Sequence, residues 1–250
     1  MKQVIRSTVK NKMACFPQTR PADPKAVVFD NGSWVCMCFA LAACLVAKPG
    51  YSAEGETGRV KQDLVVLYTF AEPSGDVIHD RSGAGKPLDL RIETPQAVSR
   101  QNGRFAVSSS ARIVSAGPAK KLIDAIKQSG ELTLETWVLP RGDRQGGPAR
   151  IMSLSADPGQ RNFTLGQERD RYDVRLRTTK TDGNGIPSLS TPPSAVQADL
   201  THIAFTRDRT GNTRIYVHGR QQAAGKAEGD LSGWSQEFRL SLANELTGDR

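Results

Sequence analysis

Cysteine is confined to the beginning of the chain. The four cysteines are Cys15, Cys36, Cys38 and Cys44, and none follows. This distribution excludes a disulfide framework and a cysteine-ligated zinc site from the rest of the chain, and the lack of a C-x-x-C-H motif excludes covalently attached haem. A long cysteine-free region suits an exported domain whose stability comes from its hydrophobic core.

Aromatic residues are also scarce. Phe, Trp and Tyr make up 6% of the chain, whereas there are 23 glycines and 14 prolines. Charged residues make up 24%, which is typical of a soluble, turn-rich globular protein rather than of a disordered chain. This composition favours an all-β class.

Concentrated positive charge is missing as well, although the net charge is +8. Residues 1–53 carry seven Lys or Arg and two Asp, and the remaining chain carries 27 basic and 24 acidic residues. The sequence contains no basic run or RNA-binding signature, and no glycine-rich loop links a strand to a helix. It therefore predicts no nucleic-acid partner and no bound nucleotide.

The apolar run WVCMCFALAACLVA covers residues 34–47 and is 14 residues long. A membrane-spanning helix needs about 20 residues, whereas a run of this length fits the core of a signal peptide. Two endings remain open: cleavage after Ala53, or lipidation of Cys44 in the lipobox-like LAAC, which would anchor the protein to a membrane. We expect export to the periplasm, the cell surface or the medium.

The predicted organisation has three parts. Residues 1–53 form a leader with a signal peptide, partly disordered, and residues 54–62 form a linker. Residues 63–250 form one domain, in which short apolar runs alternate with Gly, Pro, Asn, Asp and Ser in the manner of a β-sandwich. Its clearest hairpin joins His202–Arg207 to Thr213–Val217 through RTGN.

One segment of the predicted domain has a helical pattern. In GPAKKLIDAIKQSG, the residues Leu122, Ile123 and Ile126 share one face, while lysines and glutamine occupy the other. Pro118 comes early and Gly130 follows the last apolar position, as at the two ends of a helix. The sequence therefore predicts one short helix near 118–128, packed against the sandwich.

Four segments in this order resemble a known family. They are LVVLYTFAEPSGDVIHDRSGAGKPLDL, the helical segment, LTLETWVLP, and HIAFTRDRTGNTRIYVHG, and they resemble the laminin-G-like, concanavalin A-like jelly-roll domains of exported bacterial proteins. The resemblance covers residues 63–249. It implies a two-sheet antiparallel jelly-roll sandwich that binds carbohydrate, a protein surface or calcium, in most cases without catalysis.

Two features depart from the family pattern. The hairpin end that usually reads Tyr-Val-Asp-Gly has His218 in place of the aspartate. Such domains also generally continue with one more strand beside the first, which leads us to expect a domain truncated at its C-terminal strand. A sheet edge left unpaired in this way would favour association with other chains.

The segment ELTLETWVLP carries the candidate catalytic residues, Glu131 and Glu135. Alternation along a strand places both carboxylates on the face of Trp137. The resemblance implies that a glycosidase of this fold would carry Glu-x-Asp-x-x-Glu, which this segment lacks. Positions four apart on a strand also lie about 13 Å apart, whereas retaining hydrolysis needs carboxyl groups about 5–5.5 Å apart. We therefore expect no catalytic pair, and a glycoside hydrolase is the alternative function.

Two tryptophans are candidate sugar-stacking residues. Trp137 adjoins core-facing positions, which favours a packing role. Trp234 lies in the loop-like GDLSGWSQEF and is the better candidate for an exposed aromatic platform. The three histidines show no metal-ligand spacing.

Calcium is the one cofactor that the sequence leaves open. Asp76 and Asp80 flank strand residues in SGDVIHDRSG, where the resemblance implies a structural ion. Calcium needs six to eight oxygen ligands, and turns also use Asp for backbone reasons. The sequence predicts an exported, non-catalytic module that binds a glycan or an extracellular protein surface, or else a structural module of a longer chain.

Overall fold

Short apolar and β-branched runs between turn residues form the strands of this protein. The computed structural model describes residues 3–6, 61–101, 104–108 and 111–247, all within one unit. The elements are, in chain order, β1 (Gln3–Arg6), β2 (Leu64–Tyr68), β3 (Val77–Ile78), β4 (Leu90–Ile92), a 3₁₀ turn (Pro95–Ala97), β5 (Val98–Gln101), β6 (Arg104–Val107), β7 (Ile113–Ser115), α1 (Lys120–Ser129), β8 (Leu132–Val138), β9 (Ala149–Asp157), β10 (Gln160–Glu168), β11 (Arg171–Leu176), β12 (Leu189–Ser190), β13 (Thr201–Arg207), β14 (Asn212–Val217), β15 (Arg220–Lys226) and β16 (Arg239–Leu242).

The strands form two large sheets and a separate hairpin. One sheet has the order β15-β14-β13-β8-β1-β2, the other has the order β12-β11-β10-β9-β16-β7-β4-β3, and β5 pairs with β6. Every neighbouring pair is antiparallel. The predicted all-β, two-sheet antiparallel jelly-roll sandwich is confirmed.

The core lies between the two large sheets, because alternate side chains of each sheet are apolar. Leu134 of β8 and Phe205 of β13 belong to the same buried cluster as Leu154 of β9 and Phe163 of β10. On β8 the pattern is regular: residues 132, 134, 136 and 138 are buried, while 133, 135 and 137 are partly or well exposed. This alternation leaves one face of the six-stranded sheet available for contacts outside the core.

The predicted helix is confirmed with slightly shifted bounds. It runs from Lys120 to Ser129, and its Leu122, Ile123 and Ile126 are buried in the core. Gly130 ends the helix in a left-handed conformation with φ of 68°. Glycine adopts this conformation without the steric cost of a Cβ atom, which explains the stop.

Strand β1 lies inside the predicted leader. It occupies the position between β2 and β8, with Ile5 opposite Val66 on one side and Leu134 on the other. The sequence patterns did not identify this strand. Residues 7–60 lie outside the described residues, so the signal peptide, its cleavage after Ala53 and lipidation of Cys44 stay predictions, as do the domain bounds.

The predicted hairpin of β13 and β14 is confirmed, with Phe205 opposite Ile215. At the next turn, His218 and Gly219 have φ of 50° and 75°. These values explain why a residue that tolerates the left-handed region precedes a glycine there. In the part of the chain that the structure describes, no helix is long and apolar enough to cross a membrane.

Candidate functional site

The pairing of β8 with β13 assembles an exposed cluster at one end of the six-stranded sheet. Trp137 lies opposite His202, and Val138 lies opposite Thr201. Because side chains alternate along a strand, Trp137 and His202 share the outer face. Leu139 directly follows β8 and Leu200 directly precedes β13, so both leave the sheet at the end where Val138 pairs with Thr201.

Three of the four large hydrophobic residues that are exposed in the described ranges lie in this cluster. Trp137 is 38% exposed, Leu139 49% and Leu200 56%, and the fourth large exposed hydrophobic residue in the described ranges is Ile186 at 44%. Single exposed hydrophobic residues are ordinary, whereas several near one another make this end of the sheet a candidate binding surface. We call Trp137, Leu139, Leu200, His202 and Glu135 the Trp137 patch.

Polar contacts hold the aromatic part of the patch in place. The Trp137 and His202 rings lie 5.0 Å apart between centroids and are tilted by 36°. The Nε2 atom of His202 lies 3.1 Å from Oε1 of Glu135, and both side chains are only partly exposed. This arrangement presents an indole surface beside a carboxylate and an imidazole, which together can contact an apolar face and hydrogen-bond to hydroxyl groups.

Trp234 does not have the exposure that the sequence favoured. Its side chain is 2% exposed and belongs to the core. The indole Nε1 donates a hydrogen bond of 2.8 Å to the carbonyl oxygen of Arg177, and the ring packs 6.0 Å from Phe163. The expectation of an exposed platform at Trp234 is therefore wrong, because its loop folds inward and satisfies the indole N–H.

Trp137 also differs from its expected role, since packing was favoured there. The residue lies on the outer face of β8, so its neighbours Thr136 and Val138 enter the core while its own ring does not. The sequence assigned this face correctly from alternation. It did not show that the adjoining strand and loop leave the ring uncovered.

The two glutamates, Glu131 and Glu135, lie in different structural settings. Glu135 lies within β8 and contacts His202, as described above. Glu131 precedes the strand, and its backbone N–H donates a hydrogen bond of 3.1 Å to Oγ of Ser129 at the end of α1. The structure thus places Glu131 at the helix exit and only Glu135 in the patch.

The calcium candidates do not form a joint site. Asp80 is buried, and its Oδ2 accepts hydrogen bonds from Nζ of Lys121 at 2.5 Å and from the N–H of Leu88 at 3.1 Å. Its Oδ1 accepts from the N–H groups of Leu67 at 3.1 Å and Ser82 at 2.9 Å.

Asp76, the second calcium candidate, is exposed, and its Oδ2 lies 3.6 Å from Nη1 of Arg91. No group of three His, Cys, Asp or Glu side chains suited to a metal ion occurs within the described ranges. The structure therefore gives the Asp80 carboxylate a role in the fold.

Hydrogen bonding also sets the acidity of Asp80. Burial by itself raises the pKa of this carboxyl group, because it disfavours the charged form. The hydrogen bonds from Lys121 and from the N–H groups of Ser82 and Leu88 outweigh burial and hold the pKa below its usual value. Asp80 is thus a charged structural anchor between α1 and the β2–β4 region.

Sequence inspection alone missed three members of the patch. Leu139, Leu200 and His202 became relevant only when β13 was aligned against β8. An antiparallel alignment of LTLETWV with THIAFTR places Trp137 opposite His202, so the sequence already contained this signal. It required knowledge that these two distant strands are neighbours.

The sequence profile of the Concanavalin A-like lectin/glucanases superfamily matches residues 115–250. The match covers β8 and β13, which carry the Trp137 patch, and the sandwich has the expected two antiparallel sheets. The chain belongs to this superfamily. Because the superfamily includes both lectins and glucanases, membership by itself leaves open whether this concanavalin A-like domain binds or hydrolyses.

Several solved structures resemble the chain at low sequence identity. A tryptophan-to-alanine mutant of HCR D/C has a TM-score of 0.51 at 13% identity, covering 66% of this chain and 40% of its own. The binding domain of Paraclostridial Mosquitocidal Protein 1 has a TM-score of 0.48 at 15% identity, with 68% and 45% covered. The Ruminococcus gnavus IT-sialidase CBM40 bound to alpha2,3 sialyllactose has a TM-score of 0.37 at 19% identity, with 52% and 74% covered.

The first two of these structures are much longer than the matched region, since less than half of each is covered. At such identities the likeness concerns the fold of the concanavalin A-like sandwich alone. No protein of curated function matches the chain.

Proposed function

We propose that this concanavalin A-like domain is an exported, non-catalytic module that binds a glycan through the Trp137 patch. The observation that supports it is the exposed indole of Trp137, held beside the Glu135 and His202 pair. An indole complements the C–H face of a sugar ring, while the carboxylate and imidazole can bind its hydroxyl groups. Export rests on the predicted signal peptide in residues 1–53.

Hydrolysis is the alternative, and the placement of the two glutamates counts against it. Glu135 contacts His202, whereas Glu131 lies four positions earlier, before β8 begins. Extended residues four apart are separated by about 13 Å, well beyond the 5–5.5 Å of a retaining pair and the roughly 6.5–9.5 Å of an inverting pair. The patch supports binding better than bond cleavage.

The first test is a binding screen of the full chain against an array of neutral and acidic oligosaccharides. We expect binding to one class of glycan, and at least a tenfold loss of affinity in Trp137→Ala, which corresponds to about 1.4 kcal/mol. Ile186→Ala is the matched control, because it removes a large exposed side chain outside the patch. Retained affinity in Trp137→Ala, or an equal loss in the control, would contradict the proposal.

A protein surface is the second candidate, and the exposure of Leu139 and Leu200 favours it. A sugar contacts mainly the indole and its polar neighbours, whereas a protein partner would also cover both leucines. We therefore expect Leu139→Ser with Leu200→Ser to weaken glycan binding less than threefold. If no glycan binds and this double variant abolishes binding to an isolated extracellular partner, the protein-binding function replaces the glycan-binding one.

A further inference from the structure

The loop between β8 and β9, residues 139–148, presents charged side chains that the fold itself does not use. It contains the tripeptide Arg141-Gly142-Asp143, followed by Arg144. The three charged residues are exposed. Within the described ranges, none of their side chains forms a hydrogen bond or an ion pair. An acid and a base therefore lie two positions apart with both charges available to another molecule.

A buried glutamine holds this loop in place. Gln167 of β10 is 4% exposed, and its Nε2 donates a hydrogen bond of 2.7 Å to the carbonyl oxygen of Gly142. Its Oε1 accepts a hydrogen bond of 3.1 Å from Nε2 of Gln145, whose carbonyl oxygen accepts one of 2.7 Å from the N–H of Arg169. The backbone is thus fixed on both sides of Asp143. A loop fixed in advance loses less conformational entropy when it binds a partner.

Gly142 has no structural need to be glycine. Its φ lies outside the left-handed region, and a Cβ atom at this position would have nothing within 4 Å. Alanine would therefore fit the fold, and it would also restrict the unfolded chain. What a Cβ would obstruct is the close approach of another molecule to the backbone between Arg141 and Asp143.

Exposed apolar side chains adjoin the charged tripeptide. Leu139 of the Trp137 patch lies two positions before Arg141, a separation of at most about 7 Å along the chain. Protein–protein interfaces combine an apolar centre with a polar rim. A protein that covers Leu139 would therefore also reach the charged loop, so this surface suits a protein partner.

The chemistry of the tripeptide narrows the kind of partner. A planar guanidinium binds a carboxylate with two parallel hydrogen bonds. A carboxylate is a preferred oxygen ligand of divalent cations such as Ca²⁺ and Mg²⁺. An ion pair between the exposed Asp143 and a surface Lys or Arg of the partner would contribute little. A metal ion with an open coordination position would instead bind this carboxylate directly.

We propose that the Arg141–Asp143 tripeptide docks on a receptor protein whose site holds a divalent cation beside a carboxylate. Asp143 completes the coordination of the receptor's cation, and Arg141 binds the receptor's carboxylate. Gly142 lets the two surfaces approach closely between these contacts. The proposal does not rest on glycan binding, because neither the Trp137 indole nor the Glu135 and His202 pair takes part in it.

The test measures binding of the full chain to purified ectodomains of integrins that bind Arg-Gly-Asp peptides, by surface plasmon resonance in the presence of Mn²⁺. We expect saturable binding that EDTA abolishes and that a soluble Arg-Gly-Asp peptide displaces. Asp143→Glu keeps the charge but lengthens the side chain, and we expect it to lower the affinity at least tenfold. Asp76→Glu is the matched control, because it makes the same change at an exposed aspartate outside the loop.

A second pair of variants separates recognition from folding. Gly142→Ala should weaken receptor binding at least tenfold without lowering the thermal unfolding midpoint. Gly146→Ala is its control within the same loop, since a Cβ there would also have nothing within 4 Å. We expect this control to change neither the affinity nor the midpoint.

The absence of saturable binding by the wild type, or binding that persists in EDTA, would overturn the proposal. Equal affinities of the two aspartate variants, or of the two glycine variants, would overturn it as well. Asp143→Glu should bind glycan as the wild type does, and Trp137→Ala should retain cation-dependent receptor binding. Failure of the receptor proposal is therefore distinguishable from failure of the glycan proposal.

Discussion

Asp80 has a structural role that differs from the one the sequence suggested. It was a candidate calcium ligand, yet its two oxygens accept four hydrogen bonds, from Lys121 and three backbone N–H groups. These contacts tie β2 and the following loop to α1. The residue therefore matters for stability, at a position where a ligand role was expected.

We predict that Asp80→Asn destabilises the protein by about 2–3 kcal/mol. Removing one member of a buried ion pair leaves the other charge uncompensated, and the partial exposure of Lys121 moderates this cost. Chemical unfolding measures the effect. Asp76→Asn is the control, because Asp76 is exposed and its pairing with Arg91 is loose, and we expect less than about 0.5 kcal/mol there. Equal effects at both positions would contradict the anchoring role.

The same carboxylate should make stability depend on pH. Its pKa is lower in the folded protein than usual, so its contribution is present above the ordinary aspartate pKa, about 3.9 in the unfolded chain. The contribution is lost as the pH falls from there through the folded-state pKa. Unfolding free energies of the wild type and Asp80→Asn should therefore converge below about pH 4. A difference that stays constant from pH 7 to pH 3 would refute this assignment.

At the scale of elements, strand β1 has the largest consequence. It lies in the interior of the six-stranded sheet, between β2 and β8, although it comes from the segment predicted as a leader. Cleavage after Ala53 would remove it from the chain. The facing edges of β2 and β8 would then lose their backbone hydrogen-bond partners unless another strand entered.

We predict that a chain beginning at Lys61 unfolds at a temperature at least about 5 °C below that of the full chain, since a loss of 1 kcal/mol lowers the midpoint of a domain this size by roughly 2–4 °C. Calorimetry measures both midpoints. Ile5→Pro in the full chain separates the strand from the rest of the leader, because proline removes one ladder donor. If neither change lowers the midpoint, β1 does not contribute to the stable sheet.

At the scale of the whole molecule, the question is whether the concanavalin A-like fold carries catalysis here. We predict that the full chain releases no reducing sugar from a panel of β-glucans and other polysaccharides, because Glu131 and Glu135 lie on different local structures and are four extended positions apart. The variants Glu131→Gln and Glu135→Gln should be indistinguishable from the wild type in this assay. Hydrolysis by the wild type that either variant abolishes would establish the glycosidase instead.

The sequence predicted those elements of the fold whose pattern is complete within a few neighbouring residues. Strands such as β8 and β13, the helix α1 and the turn at His218 were predictable, because alternation, helical periodicity and left-handed turn residues operate over a few positions. Strands β1 and β4 and the short β12 were not, since they contain two to four residues each. Runs this short have too few alternations to stand out.

The same distinction applies to the candidate site, where some features were predictable from the sequence and others were not. Residue patterns alone predicted the all-β class, the two-faced character of β8 and the position of Trp137 on its outer face, because these depend on the period of the strand. The folded structure was needed to show that Trp234 is buried, that Trp137 is exposed beside His202, and that Asp80 pairs with Lys121. Each of these outcomes depends on which distant segment covers the residue, and residue spacing along a single strand carries no information about that cover.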